Sequence, residues 1–170
     1  MFKKLLVFIL IAGVFASCLK SKETEGLACT YDTCANKAPA SEIAQVEAYL
    51  ASQNITNAIK HCSGVYYTIV SAGGTPKPTA CSAIVASYEG KLTNGNTFDQ
   101  GQFPSYYRLT DLVKGWTNTV PMIGVGGTLK LYIPPTLGYG SQPVTNPQTG
   151  AVIIPANSIL IFDLSLVAFQ

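Results

Sequence analysis

The side chains able to do chemistry in this sequence are few, and their scarcity narrows what the protein can do. The one histidine, His61, stands outside the aromatic-rich half of the chain. No Gly-x-Ser-x-Gly elbow or phosphate-binding Walker loop occurs, and Asp99, Asp111 and Asp163 are scattered through apolar segments rather than paired as acid and base. Nucleophilic or proton-transfer chemistry is therefore not expected. What remains is apolar: Tyr88, Phe98, Trp116, Tyr139 and Phe162, with Leu112, Val113 and Ile154, fall at strand ends and turns where they can converge on a pocket. Taken singly, an aromatic on a strand or a lone tryptophan is more often core than ligand contact, so only the set carries the expectation.

Cysteine offers two other chemistries. Setting Cys18 aside, Cys29, Cys34, Cys62 and Cys81 form an even set that can close two disulfides in an oxidising compartment. Cys62 and Cys81 flank two segments that read as neighbouring strands, so the expected pairing is Cys29–Cys34 with Cys62–Cys81. A zinc site is disfavoured, because Cys-x4-Cys is not a zinc-knuckle spacing and His61 adjoins Cys62 instead of belonging to a His-x3-His pair. No metal and no cofactor are expected.

The elements that must position these residues follow from periodicity. Residues 19–38 have no apolar period and read as a flexible tether with a small disulfide-clipped loop. Ile43, Val46 and Leu50 recur at helical spacing, which predicts a short amphipathic helix over 41–53, after Pro39 and capped by Ser41. Strands are expected at 65–70, 83–88, 128–133 and 158–169. The first two would be joined in hairpin fashion through the turn-rich Gly73 to Pro78, and Leu160, Phe162, Leu164 and Leu166 would form the core face of the last.

With 170 residues, 48% hydrophobic and 12% charged, the chain is neither disordered nor collagen-like and has room for about one domain. A net charge of +2 without a basic face argues against nucleic-acid partners. Lys3-Lys4, the apolar run Leu5 to Phe15 and then Ala16-Ser17-Cys18 read as a secretory signal over 1–17, too short to span a bilayer. The last residues resemble the lipobox of bacterial lipoproteins, with Phe15 where leucine is usual, which implies lipidation of Cys18 and a cell-envelope protein facing the periplasm or cell surface. Without Lys3 and Lys4 the remaining charges balance, so long-range electrostatic steering is not expected.

Order and local company give the aromatic set a sharper meaning. Tyr88-Glu89-Gly90-Lys91-Leu92, Asn94-Gly95-Asn96-Thr97-Phe98-Asp99 and Lys114-Gly115-Trp116 come first. Met122 to Gly126, Leu131-Tyr132-Ile133-Pro134-Pro135, Leu137-Gly138-Tyr139-Gly140, Ile154 to Ser158 and Leu160 to Leu164 follow. In that order they resemble the FKBP-type peptidyl-prolyl cis/trans isomerases, from about Gly64 to Phe169.

The resemblance implies an α+β fold: a twisted antiparallel β-sheet wrapped around one short α-helix, here within 109–120, with Trp116 at the helix start. The domain plan is then 1–17 signal peptide, 18–38 lipidated tether and Cys-containing loop, 39–63 N-terminal helical segment and 64–170 isomerase domain. The resemblance places Tyr88, Phe98, Asp99, Trp116, Tyr139 and Phe162 at the catalytic pocket and Leu112, Val113 and Ile154 in substrate binding. The Val113 N–H and the Tyr139 hydroxyl would hold peptide carbonyls. Asp99 would either orient neighbouring tyrosines or set the electrostatics beside the amide. A further aromatic wall stays open among Phe103, Tyr106 and Tyr107, with Tyr107 favoured as the family's core position. The long loop 141–152 is expected to overhang the pocket, with Val152 or Ile153 as its tip. Implied partners are proline-containing unfolded or exported polypeptides and, through the acyl anchor, a lipid bilayer. A monomer is expected, because the helix at 41–53 is too short to resemble the stalks of dimeric relatives. A non-catalytic proline-peptide-binding module or holdase is the alternative.

Overall fold

The computed structural model describes residues 28–170; Cys18 and residues 1–17, expected to be a signal segment, lie outside them. Helix α1 (Ala40–Ser52) precedes strands β1 (Ile59–Lys60), β2 (Tyr66–Ser71), β3 (Ala83–Lys91), β4 (Thr97–Gln102) and β5 (Tyr107–Arg108). After α2 (Lys114–Thr119) come β6 (Thr128–Ile133), β7 (Val144–Thr145), β8 (Val152–Ile154) and β9 (Leu160–Phe169). Seven strands form one antiparallel sheet in the order β1-β2-β6-β9-β3-β4, with β5 also on β3, and β7 and β8 form a separate hairpin.

β9 organises the sheet because alternate positions along a strand face opposite sides. Leu160, Phe162, Leu164 and Leu166 are buried on the inner face, where Leu129, Leu131 and Ile133 of neighbouring β6 join them. The outer face is partly apolar too, and α1 covers it: Val46 and Leu50 of the helix form a second buried cluster with Tyr132 and Ile161. Further along that face Lys130 meets Asp163 at 2.9 Å, an exposed pair worth about 0–1 kcal/mol.

Three expectations need correction. β2 and β3 do not pair as a hairpin: β2 pairs β6, whereas β3 pairs β4, β5 and β9. The glycine-rich connection is pinned elsewhere, with Gly74 N–H donating to Val125 O and Gly124 N–H to Ala72 O, both at 2.9 Å. A Cβ on Gly124 would stand 1.7 Å from Gly74 O, so the two segments can lie this close only because Gly124 lacks one.

Ser41 does not cap α1. The helix starts one residue earlier behind Pro39, with no side-chain cap, and the fixed φ of proline serves the entry instead. The disulfides are Cys29–Cys81 and Cys34–Cys62, with Cα–Cα distances of 5.6 and 5.4 Å, so neither expected bridge forms. The segment lies along the domain, and each of its cysteines meets a partner on a different loop rather than its neighbour in sequence. Described residues 28–38 are thereby clipped to the domain. Cys34, His61 and Cys62 place their ligand-type atoms within 4.8 Å, but the two sulfurs are consumed by their mutual bond.

The short helix α2 lies within the expected span. Asp111 falls in the 3-10 turn Leu109–Asp111 before it, and the Thr117 hydroxyl donates to Leu109 O at 2.6 Å, tying helix to turn. Tyr31, between the two clipped cysteines, donates to Asn118 Oδ1 at 3.4 Å and so touches the same helix.

Candidate active site

Trp116 is the third residue of α2 and only 3% exposed, because the helix tucks against the inner face of the sheet. Its indole meets Phe162 of β9 at 5.1 Å and Tyr88 of β3 at 5.3 Å between ring centres, both edge-on, the arrangement that ring quadrupoles favour. Phe103 closes the group, 5.9 Å from Trp116 and 5.3 Å from Tyr88. Together with Leu112, Val113, Asp99 and Tyr139 these rings line a pocket of about 110 Å³.

A register irregularity positions one side of it. Between β3 and β4, Gly90 faces Asp99 while Lys91 faces Thr97, so Phe98 is the extra residue of a bulge. Phe98 consequently packs edge-on against Phe162, 5.5 Å away, while Asp99 turns to the pocket. Gly90 makes room for both rings: a Cβ there would lie 2.5 Å from Phe98 and 2.7 Å from Phe162. Gly90→Ala is therefore expected to overpack the site at a cost of about 1–3 kcal/mol, read as a lowered denaturant midpoint at unchanged slope.

Polar groups in the pocket are sparse and arranged. The Tyr88 hydroxyl donates to Asp99 Oδ2 at 2.9 Å. Burial first, and that hydrogen bond second, push the Tyr88 phenol up to about 12. Burial, with the Asp99 charge in second place, also raises Tyr139, whose side is 45% exposed at the rim. The fold thus favours neutral Tyr88. Its contribution to stability is present below the ordinary tyrosine value of about 10 and is lost as pH rises toward about 12. Tyr88→Phe is expected to flatten that alkaline decline, as followed by denaturation at a series of pH values.

Val113 stands at the N-terminal boundary of α2, where backbone N–H groups have no carbonyl within the helix to meet. It can therefore offer a donor to a ligand beside the rings.

Of the residues expected here, Tyr88, Asp99, Leu112, Val113, Trp116, Tyr139 and Phe162 come together on the lining. Phe98 and Ile154 do not: Phe98 stands behind Phe162, and Ile154, paired with Val144 in the β7–β8 hairpin, is buried in the core. The long loop contributes none of the lining residues, and Val152 and Ile153 point to solvent at 58% and 37% exposure.

Phe103 fills the wall left open, and Tyr107 does not take the core position expected of it. Tyr107 sits on the short edge strand β5 and is 41% exposed. Phe103 N–H donates to Ala86 O at 3.0 Å, which holds its ring on the inner side. Strand parity from Asp99 through Gly101 allows Phe103, but Tyr107 shares it, and only the bend at 104–105 between them, seen in the structure, separates the two.

A sheet wrapped on a short helix, with a ring-lined cleft whose one carboxylate, Asp99, accepts from a tyrosine hydroxyl, presents a mostly apolar seat bordered by few polar groups. The sequence profile of the FKBP-type peptidyl-prolyl cis-trans isomerases matches residues 74–167, and the chain belongs to that family.

It is 34% identical over 129 residues to the isomerase FkpA of Aeromonas hydrophila, covering 73% of this chain and 45% of that protein. Among solved structures, a peptidyl-prolyl cis-trans isomerase from Pseudomonas syringae superposes with a TM-score of 0.64 at 25% identity, covering 79% of this chain and 98% of that one. Escherichia coli FkpA gives 0.63 at 30% identity, covering 77% and 60%. The chain spans less than half the length of the curated relatives it matches.

Proposed function

We propose that this protein is a peptidyl-prolyl cis/trans isomerase that accelerates rotation about Xaa-Pro bonds of exported polypeptides, held to a bacterial envelope membrane by lipid on Cys18. The observation that carries the reading is the ring cluster of Trp116, Tyr88, Phe103 and Phe162 within the segment matched by the family profile.

Conjugation of the nitrogen lone pair with the carbonyl gives an amide a rotation barrier of about 18–20 kcal/mol. The planar amide is also more charge-separated than the twisted one. A pocket of rings that replaces water around the bond therefore disfavours the planar form more than the twisted form, which lowers the barrier. In this reading the Val113 N–H and the Tyr139 hydroxyl hold the flanking carbonyls. Proline is the fitting residue, because its cis and trans forms differ by only about 0.5–1 kcal/mol while exchange takes tens to hundreds of seconds. That slow step limits folding, and its relief is the service to clients. Neither metal nor cofactor is required for it.

The envelope location rests on Lys3-Lys4, the apolar run and the small residues before Cys18, and the two disulfides suit an oxidising compartment. A protease-coupled assay on a proline peptide tests the activity. Acceleration supports the enzyme, and suppressed client aggregation without acceleration would support a holdase instead. Cys18→Ser is expected to release the protein from the membrane fraction, and its retention there would count against the anchor.

A further inference from the structure

Tyr139 reaches the pocket from a turn that α1 holds. Pro134 and Pro135 carry no N–H, so Thr136 supplies the first backbone donor of the 3-10 turn Pro135–Leu137. That donor goes to α1: Thr136 N–H donates to Glu42 Oε2 at 2.9 Å, and the Thr136 hydroxyl donates to Glu42 Oε1 at 2.5 Å. Both carboxylate oxygens are thus spent on one residue, three positions before Tyr139. The rest of the turn is tied within itself, with Gly138 N–H and Gly140 N–H both donating to Pro135 O at 2.9 and 2.8 Å. A shift at Thr136 therefore passes to Tyr139 through a short, hydrogen-bonded unit.

Glu42 is itself fixed. Val46 and Leu50 of the same helix are buried on the sheet, and the Cys34–Cys62 bridge anchors the chain just before the helix. Glu42 also lies outside residues 74–167, the part matched by the family profile.

We propose that Glu42 is a positioning residue for the isomerase site, holding the Tyr139 hydroxyl where it meets the peptide carbonyl. The inference rests on the isomerase reading and adds to it a dependence of the pocket on the N-terminal helix.

The test is a double-mutant cycle on the purified protein with a proline peptide as substrate. Glu42→Ala is expected to lower kcat/KM roughly threefold to tenfold, the range for one lost hydrogen-bonded contact. Glu42→Gln, which keeps an acceptor for the Thr136 N–H, should restore most of it. In a Tyr139→Phe background Glu42→Ala should cost little more, since the hydroxyl it positions is gone. Amide exchange at Thr136 to Gly140 should quicken in Glu42→Ala while the β9 amides keep their protection, showing an intact fold.

An equal loss in both backgrounds, or no loss in either, overturns the proposal while the isomerase reading stands. Absence of activity in the wild type overturns the two together.

Discussion

Trp116→Ala is expected to lower stability by about 3–5 kcal/mol and to reduce kcat/KM on the order of 100-fold under conditions where the variant remains folded. The indole is almost fully buried and packs against Tyr88, Phe103 and Phe162 at once. Removing it leaves a cavity that three rings attached to three separate strands or loops cannot all move to fill. The rings also lose the base that sets their mutual angles, so the surviving surface no longer presents a flat floor to a pyrrolidine ring. Trp116→Phe keeps an apolar ring on α2 and should retain most of the stability and a measurable rate. Guanidinium denaturation paired with the peptide assay separates the two effects, because activity is compared only where both proteins are folded.

Loss of the disulfides is the second large effect. Cys29–Cys81 closes a separation of 52 residues and Cys34–Cys62 one of 28. On the loop-closure scale these restrict the unfolded chain by about 4 and about 3.5 kcal/mol. The smaller loop lies inside the larger, so removing both is expected to cost less than the two losses combined. Replacing each pair by serine and measuring the denaturant midpoint checks the order. The Cys34–Cys62 variant carries an added expectation, since that bridge anchors the approach to α1 and with it Glu42.

Much of this architecture was legible in the residues, unevenly. The alternation in β9 identified the inner face, because period two over ten residues leaves little choice. It did not show that Ile161 on the other face is buried as well, since that depends on where α1 docks. The helix itself was readable from Ile43, Val46 and Leu50, whereas its destination was not. At six residues α2 is too short for any period, and only the resemblance located it.

The pocket was legible where motifs fixed it, at Tyr88, Asp99, Trp116, Tyr139 and Phe162. Phe103 stood among three candidates for the open wall, and no residue type or spacing separated it from Tyr107. Phe98 packs on Phe162 without joining the lining, at a bulge that no residue type announces. The disulfides went wrong because Cys62 and Cys81 flank two segments that read as neighbouring strands, whereas β2 and β3 do not pair and the folded segment 28–38 runs past two loops and bridges to each.

The central claim is that a ring-lined cleft speeds rotation about an Xaa-Pro bond without covalent chemistry. Exchange NMR on a short proline peptide reads that rotation at equilibrium, with no protease and no folding client involved. With the protein at a small fraction of the peptide concentration, cis–trans exchange should quicken while the cis and trans populations stay unchanged, and Trp116→Ala at equal concentration should leave exchange near its uncatalysed rate. Exchange unaltered by the wild-type protein, or quickened equally by the Trp116→Ala variant, would contradict it.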